Sequence, residues 1–347
     1  MSRGPTRTLP ALPSKETLLK KILSAIEVSG WTANVMDRNH PFRILVSHDG
    51  ISLELRIYIW NITPGAGTRP RDEFRIQITG VREIKTGTWF RTLLLGWDTR
   101  YGVFAGWNAS RYERPYTPDE SPALQIKNGT LSGAKRTGMA IQPKIIHERG
   151  NVNEVVVAFR PDLFGAYFTN LDNYHQPRLT RLEANLLARV GTNRPPTDEE
   201  LASLSEERRH VIREVEQAVR NVKFRKLVLS AYNYSCGVCG LDLGIVQAAH
   251  IVPVAEQGTD EPSNGIALCA NHHRAFDKNI LMIKDDYTIS VNTSKQGSIS
   301  ASEFNKIIGG ITKLQVPTDR RFAPNPEYLS SRMRIFGTPQ SPRRRRR

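Results

Sequence analysis

The sequence has little cysteine, with three residues of this type in 347. So few thiols exclude a disulfide-stapled extracellular scaffold and favour a reducing compartment. Long apolar runs are missing as well, since no stretch approaches the roughly 20 residues that a membrane-spanning helix needs, and the N-terminus has no apolar signal region. We therefore expect a soluble, cytoplasmic protein with no membrane partner.

Acidic residues are in the minority, with 34 Asp and Glu against 49 Lys and Arg, so that the formal net charge is +15. This balance favours a polyanionic partner, because phosphates attract Lys and Arg through a long-range, salt-sensitive field. Charge alone does not decide between a nucleic-acid partner and a merely basic surface. The length and the hydrophobic content of 39% leave room for more than one domain with its own core.

All three cysteines fall within one short stretch that also holds three of the eight histidines. Cys236 and Cys239 form a C-x-x-C pair, and Cys269 and His272 form a C-x-x-H pair. Two such pairs supply four soft or borderline ligands, the tetrahedral set that Zn²⁺ prefers. We predict a structural Zn²⁺ bound by these four residues, although the neighbouring His273 could exchange roles with His272.

A second set of polar residues is interleaved with these ligands and does not suit a closed zinc site. It comprises His250 in Ala-His-Ile, Asn264 in Asn-Gly and His273 in His-Arg-Ala-Phe-Asp. Together with the lead-in 224–232, these motifs resemble the HNH endonuclease family, whose fold is called ββα-metal, in the form found in many bacterial restriction nucleases. The resemblance covers roughly residues 220–290, and the three letters of the family name fall on His250, Asn264 and His273.

The resemblance implies a metal-dependent hydrolase that cuts DNA phosphodiester bonds. His250 would be the general base that takes a proton from the attacking water, a task that suits imidazole at neutral pH. His273 and Asp277 would hold a catalytic Mg²⁺ or Mn²⁺. Asn264 would either brace the loop that positions His250 or add an oxygen ligand to the metal. Many members carry a further ligand just before the catalytic histidine, where this chain has Ala249.

Two alternatives accompany this interpretation. Arg274, next to His273, would contact a neighbouring phosphate or would simply be a charge on the helix surface. The whole motif could also be a non-catalytic zinc-ribbon module of a DNA-binding regulator. A plain zinc knuckle has no need for the second set of polar residues at these spacings, which favours the nuclease.

The rest of the chain predicts an α+β protein with a mostly antiparallel β domain over residues 15–190. We expect residues 1–14 to be a disordered tail, and helical spacing of apolar residues predicts a helix over Lys15–Val28. Alternating apolar and polar residues then indicate strands. These strands are Ile51–Trp60, Glu73–Thr79, Trp89–Trp97, Tyr101–Trp107 and Val155–Phe159.

Aromatic residues stand beside arginines along this β domain, a combination that can stack on extruded bases and hold phosphates. For most of these aromatics, filling a β core is the favoured interpretation. The segment Gly96–Asn108 is the exception, because polar residues interrupt its hairpin pattern. Our candidate DNA contacts in the domain are Arg71, Arg75, Trp97, Arg100 and Trp107.

The remaining segments complete the domain plan. Lys127–Lys144, rich in Gly, Lys and Thr, is predicted to be a mobile basic loop. Residues 191–223 are interpreted as a linker and one connecting helix, which starts with a capping box at Thr197. The nuclease domain would span 224–315. A basic tail, 316–347, would be disordered near its end, where five arginines could anchor DNA.

The sequence therefore predicts a restriction-type endonuclease that acts on double-stranded DNA, with the N-terminal domain selecting the site. It leaves open whether the enzyme works beside a companion methyltransferase or cuts only modified DNA. One HNH centre per chain would favour a homodimer, or paired monomers, for cutting both strands.

Overall fold

The computed structural model describes residues 11–48, 51–65, 70, 72–146, 152–175, 180–190, 194–292, 300, 302 and 310–336. The chain divides into two compact units, Met1–Val219 and Arg220–Arg347, each with its own hydrophobic core.

The N-terminal unit is built on a large β-sheet. Its strands are β1 (Thr32–Asp37), β2 (Phe42–His48), β3 (Ile51–Asn61), β4 (Thr63–Pro64), β5 (Glu73–Gln77), β6 (Phe90–Asp98), β7 (Val103–Trp107), β8 (Ala123–Lys127), β9 (Met139–Ile146) and β10 (Val152–Phe159). Seven of them form one sheet in the order β1-β2-β3-β6-β7-β10-β9, in which β3 and β6 are parallel and the other neighbours are antiparallel. A second, antiparallel sheet has the order β4-β5-β8.

The N-terminal unit also contains helices. They are α1 (Lys15–Val28), α2 (Asn128–Thr137), α3 (Phe164–Thr169), α4 (Leu171–Tyr174), α5 (Arg181–Arg189), α6 (Asp198–Ala202) and the first part of α7 (Glu206–Ala231), with 3₁₀ turns at Ala109–Arg111 and Pro161–Leu163. Helix α1 has the predicted bounds, and Leu19, Ile22 and Ile26 on its apolar stripe are fully buried. Ser14 caps it by accepting a hydrogen bond from the Thr17 N–H.

The predicted basic loop at 127–144 is wrong. This segment contains the end of β8, all of α2 and most of β9, which is an edge strand of the large sheet. Helix α2 buries only Leu131, Gly133 and Ala134, and a Cβ at Gly133 would lie 3.3 Å from the Ala140 Cβ. Because close packing of small residues replaces large apolar side chains here, the hydrophobic pattern is too weak to indicate a helix.

The C-terminal unit has the ββα arrangement. After the end of α7 come β11 (Val246–His250), β12 (Gly265–Cys269), α8 (Ala270–Asp277), β13 (Leu281–Ile283), β14 (Ile289–Val291) and α9 (Pro326–Phe336), with 3₁₀ turns at Val254–Glu256, Pro262–Asn264 and Arg320–Phe322. Strands β11 and β12 form an antiparallel hairpin, and α8 follows directly. The predicted α+β class is confirmed.

Two predictions about connecting segments need correction. The single helix expected after Thr197 is broken into α6, which has the predicted capping box, and α7, whose first turn is capped by Ser205 through the Arg208 N–H. The tail expected at 316–347 contains α9, because Leu329 is fully buried and Arg332 nearly so. Arg343–Arg347 and residues 1–10 lie outside the described residues.

Within the described ranges, no helix is both long enough and apolar enough to cross a bilayer.

Candidate zinc centre and active site

Cys236, Cys239, Cys269 and His272 converge at one end of the β11–β12 hairpin. One ligand atom from each lies within 4.8 Å of every other, and all but Cys239 are buried. The Cys239 and Cys269 sulfurs are 3.9 Å apart, and the His272 Nδ1 lies 3.5 Å from the Cys236 sulfur and 3.2 Å from that of Cys269. The four ligands predicted from their spacing in the sequence therefore lie together in the structure.

These distances fit a tetrahedral ion. With metal–ligand bonds of about 2.3 Å to sulfur and about 2.05 Å to nitrogen, a tetrahedron has S···S edges of about 3.8 Å and S···N edges of about 3.6 Å. The His272 Nδ1 faces the sulfurs and is therefore the nitrogen that takes part in the cluster. The Nε2 of the same ring is buried and has no hydrogen-bond partner among the described residues. The donor set, three sulfurs and one imidazole, is the kind that Zn²⁺ prefers.

The electrostatics of the cluster also favour a cation. Burial raises the pKa of Cys236, but the hydrogen bond with His272 and the N–H groups of Cys239, Cys269 and Val238 outweigh it and lower this pKa to about 6. The pKa of Cys239 is raised to about 11, by partial burial and by the neighbouring Cys236. The Cys236 thiolate therefore forms readily, whereas the Cys239 thiol needs a nearby positive charge to lose its proton.

His250 ends strand β11, and its ring is fixed on two sides. It stacks on Phe224 of α7 with ring centroids 3.9 Å apart and an interplanar angle of 8°. Its Nε2 lies 2.9 Å from Oδ1 of Asp260. Opposite His250 in the hairpin is Gly265, where a Cβ would lie 2.3 Å from the Val228 side chain, so α7 packs closely here only because this residue is glycine.

Asn264 is fully buried and all its amide groups are used by the backbone. Its Oδ1 accepts from the Val252 N–H at 2.9 Å, and its Nδ2 donates to the carbonyls of Val252 at 2.9 Å and Thr259 at 2.8 Å. Of the two roles predicted for Asn264, bracing the loop after His250 agrees with this geometry. The role of metal ligand is corrected, because the oxygen is already engaged in a buried hydrogen bond.

His273 and Asp277 lie one turn apart on α8 and face each other, with Nε2 and Oδ2 3.4 Å apart. The His273 Nδ1 lies 2.6 Å from Oε1 of Gln247 on β11. An amide oxygen can only accept, so Nδ1 carries the proton and Nε2 keeps its lone pair for a metal. Adjacent ligands of an octahedral ion with bonds of about 2.1 Å are about 3.0 Å apart, close to the observed separation.

The structure brings His273 and Asp277 together but does not join them to His250. Among the described residues, no hydrogen bond links His250 to either of them, and the one cluster of three or more His, Cys, Asp or Glu ligands is the cysteine–histidine quartet. Ala249 is buried and adds no ligand.

Three residues that contribute to the site were not predicted from the sequence. Gln247 and Asp260 approach the two histidines as described, and Arg332 of α9 is a buried cation. Its guanidinium donates to the carbonyls of Ile251, at 2.8 Å, and Phe276, and stacks on the Phe276 ring at 3.8 Å. Burial lowers the pKa of Arg332 to about 10, against the opposing effect of Asp277. Arg332 thus ties the residue after His250 to the end of α8. Of these three residues, only Gln247 had a signal in the sequence, because it is a polar residue within an otherwise apolar strand.

The candidate DNA contacts take varied positions. Arg274 is exposed on α8. Trp97 and Trp107 are 6% and 1% exposed, which corrects their assignment as stacking residues, because both fill the core of the N-terminal unit. Arg100 stacks on Phe74 at 3.6 Å and pairs with the buried Asp98.

Arg75 lies half-buried in β5, and Arg71 lies outside the described residues. By contrast, Trp89 is 92% exposed just before β6.

Comparisons with known proteins agree with this geometry. Residues 236–284 match the family model described as HNH endonuclease, and residues 53–168 match one described as Methylase-associated X1. No curated protein matches the chain. The C-terminal unit therefore carries an HNH endonuclease domain, the module of a DNA-cleaving hydrolase, and the predicted resemblance is confirmed.

Two solved structures are also similar. A modification-dependent TagI restriction endonuclease has 16% identity, with 81% of each chain covered and a TM-score of 0.30. The type IV phosphorothioation-dependent restriction endonuclease ScoMcrA has 10% identity, with 94% of this chain and 64% of that chain covered and a TM-score of 0.18.

Proposed function

We propose that this protein is a metal-dependent DNA endonuclease of restriction type. The observation that carries the proposal is the pairing, in one ββα unit, of a closed cysteine–histidine quartet with a separate, partly exposed His273–Asp277 pair and an oriented His250. A module that only bound DNA through a zinc knuckle would have no need for the second set.

Each side chain has a distinct task in this proposal. His250 takes a proton from the water that attacks the scissile phosphate. Asn264 holds the loop after β11, so that His250 keeps its position. His273 and Asp277 are the ligands of a Mg²⁺ or Mn²⁺ ion, which would neutralise charge on the phosphate and on the leaving 3′ oxygen. Arg274, exposed on the same helix, is suited to contact a neighbouring phosphate.

The cysteine quartet is proposed to hold Zn²⁺ with a purely structural role. Cys236 and Cys269 belong to the core of the C-terminal unit, and a metal that links the loop before β11 to the start of α8 would add a cross-link to that core. All four positions of a tetrahedral ion would be filled by protein, which leaves none for a substrate.

We assign DNA recognition to the N-terminal unit. The match to a methylase-associated family model supports a restriction role in which a companion methyltransferase protects the host DNA. The competing possibility is an enzyme that cuts only modified DNA. Digestion of unmodified and methylated DNA distinguishes these two kinds of restriction enzyme. The boundaries of recognition domain, linker and nuclease at 15–190, 191–223 and 224–315 stay part of this proposal, as does a homodimer for cutting both strands.

The test is digestion of double-stranded DNA by the full-length protein with Mg²⁺, Mn²⁺ or EDTA. The panel holds one sequence in unmodified form, with N6-methyladenine and with 5-methylcytosine. We expect metal-dependent cleavage of at least one form, and its loss in His250→Ala with DNA binding and zinc content retained. Absence of cleavage on every form, with binding intact, would support the non-catalytic regulator instead. Cleavage by His250→Ala at the wild-type rate would remove His250 from the proposed role.

A further inference from the structure

We infer that Asp260 is a positioning residue for the catalytic base, and that it sets the protonation pattern of the His250 ring. The inference rests on the proposed endonuclease function and concerns a residue outside the three motif positions. Asp260 Oδ1 lies 2.9 Å from the Nε2 of His250, and the two side chains are 18% and 22% exposed. This is the one side-chain hydrogen bond of His250 among the described residues.

The contact fixes which ring nitrogen is basic. An ionised carboxylate can only accept hydrogen bonds, so the Nε2 of His250 must carry the proton that the two share. The neutral ring then has its lone pair on Nδ1, which becomes the atom that takes the proton from water. A carboxylate that holds a histidine in one tautomer and stabilises the imidazolium formed later is an established catalytic arrangement in hydrolases.

The C-terminal half of helix α7 supports both partners. Arg220 and Phe224 are four residues apart and therefore lie on one face of the helix. Phe224 stacks on the His250 ring, which fixes its plane, while the Arg220 Nε lies 3.5 Å from Oδ2 of Asp260. The carboxylate thus has a cation near one oxygen and the imidazole at the other, so both of its oxygens have a partner that holds them in place.

The loop between β11 and β12 places Asp260 accurately. Asn264 donates to the carbonyl of Thr259, the residue before Asp260, at 2.8 Å. The Thr259 hydroxyl also lies 3.0 Å from the hydroxyl of Tyr328 on α9. The motif asparagine therefore acts on the base in two ways, since it closes the loop that follows His250 and anchors the residue that precedes Asp260.

In the proposed hydrolysis, each proton has a donor and an acceptor. The attacking water gives a proton to Nδ1 of His250 while its oxygen forms a bond to phosphorus, and the bond from phosphorus to the 3′ oxygen breaks. The leaving oxygen takes a proton from solvent, and His250 returns its proton to solvent before the next cycle. Asp260 takes no proton in this step; it orients the ring and stabilises the imidazolium by its charge.

The experiment compares Asp260→Asn and Asp260→Ala with Glu261→Gln, a matched control in which the adjacent, exposed carboxyl is neutralised. Single-turnover nicking is measured with Mn²⁺ on a supercoiled plasmid carrying N6-methyladenine and 5-methylcytosine, and on its unmodified counterpart. Zinc content and DNA affinity are measured for each protein. The ¹⁵N spectrum of the His250 ring, assigned by His250→Gln, reports its tautomer.

We expect both Asp260 variants to lose at least about tenfold in nicking rate, with zinc content, DNA affinity and Glu261→Gln activity unchanged. The wild-type spectrum should show His250 protonated at Nε2, and Asp260→Ala should shift it towards a mixture. A wild-type rate in Asp260→Asn and Asp260→Ala, or a wild-type ring protonated at Nδ1, would overturn the inference. Those results leave the proposed function standing as long as the wild-type protein cleaves DNA. A fully active His250→Ala removes the role of His250 and with it this inference, whereas absence of cleavage by the wild-type protein removes the endonuclease function itself.

Discussion

Two candidate metal sites share helix α8 and are built in opposite ways. The quartet that includes His272 is closed by four protein ligands, and His272 itself is 5% exposed. The pair formed by His273 and Asp277 has side chains 20% and 53% exposed and offers two ligands. A helix turns about 100° per residue, so two adjacent histidines necessarily point to different surroundings.

The closed site is suited to stabilising the fold, and the open site is suited to chemistry. A structural ion needs all its positions filled by protein, whereas a catalytic ion must keep positions for phosphate and water. The helix delivers one histidine to each kind of site within a single turn. Variants of α8 and its neighbours should therefore divide into those that unfold the unit and those that only stop cleavage.

The largest effect is expected for Cys269→Ser. Cys269 is buried in the quartet and also occupies the N-cap position of α8, so its loss removes a ligand from the closed site and loosens the helix that carries the open one. We expect loss of zinc and destabilisation of the C-terminal unit by several kcal/mol. Metal analysis and thermal unfolding check this, with Ser235→Ala, a half-buried residue beside the quartet that is not a ligand, as control. A full equivalent of zinc in Cys269→Ser would contradict the assignment.

Asp277→Asn should affect only the open site. Because Asp277 is half-exposed and is not one of the four quartet ligands, we expect normal zinc content and folding but a loss of Mg²⁺- or Mn²⁺-dependent cleavage of at least about 100-fold. Cleavage rates at increasing metal concentration measure the effect, and Asp285→Asn on the surface serves as control. If zinc were lost together with activity, the two sites would not be independent.

A smaller effect is expected for Gln247→Leu. The variant removes the oxygen that accepts from His273 Nδ1, so the ring loses its fixed tautomer while both ligands stay in place. Loss of such an outer partner weakens metal binding or activity by about 10- to 100-fold. Gln247→Glu keeps an acceptor and should retain activity close to wild type. Equal losses in both variants would mean that accepting from the His273 Nδ1 is not what Gln247 contributes.

The sequence predicted the parts of the molecule that depend on local spacing. Helix α1 was predicted with its correct bounds because its apolar stripe is regular and Ser14 supplies a cap. The C-x-x-C and C-x-x-H pairs are close in sequence, so their ligand spacing is a local property that survives folding. The capping box at Thr197 is equally local, and the structure contains it.

Contacts that depend on tertiary packing were missed or misassigned. Asp260 meets His250 only because Asn264 folds the intervening loop back on the hairpin, and Arg332 reaches the same region from a helix far along the chain. Trp97 and Trp107 sit in a segment rich in polar residues, yet Asp98 is buried there against Arg100. A segment that contains a buried ion pair has the same polar sequence pattern as an exposed segment, because the sequence alone does not show which charged residues are paired.

The smallest expected effect belongs to Arg274, which lies on the exposed face of α8 between His273 and Asp277. If it contacts a phosphate, Arg274→Gln should weaken DNA binding and reduce the dependence of affinity on salt by about one unit of slope, with little change in sequence preference. Titrations of one DNA duplex at several salt concentrations measure this slope. Lys278→Gln is the matched control, because Lys278 is exposed one turn further on. Equal slopes for the two variants would show that Arg274 is only part of a diffuse positive surface, and that α8 contributes to chemistry through its metal-binding face alone.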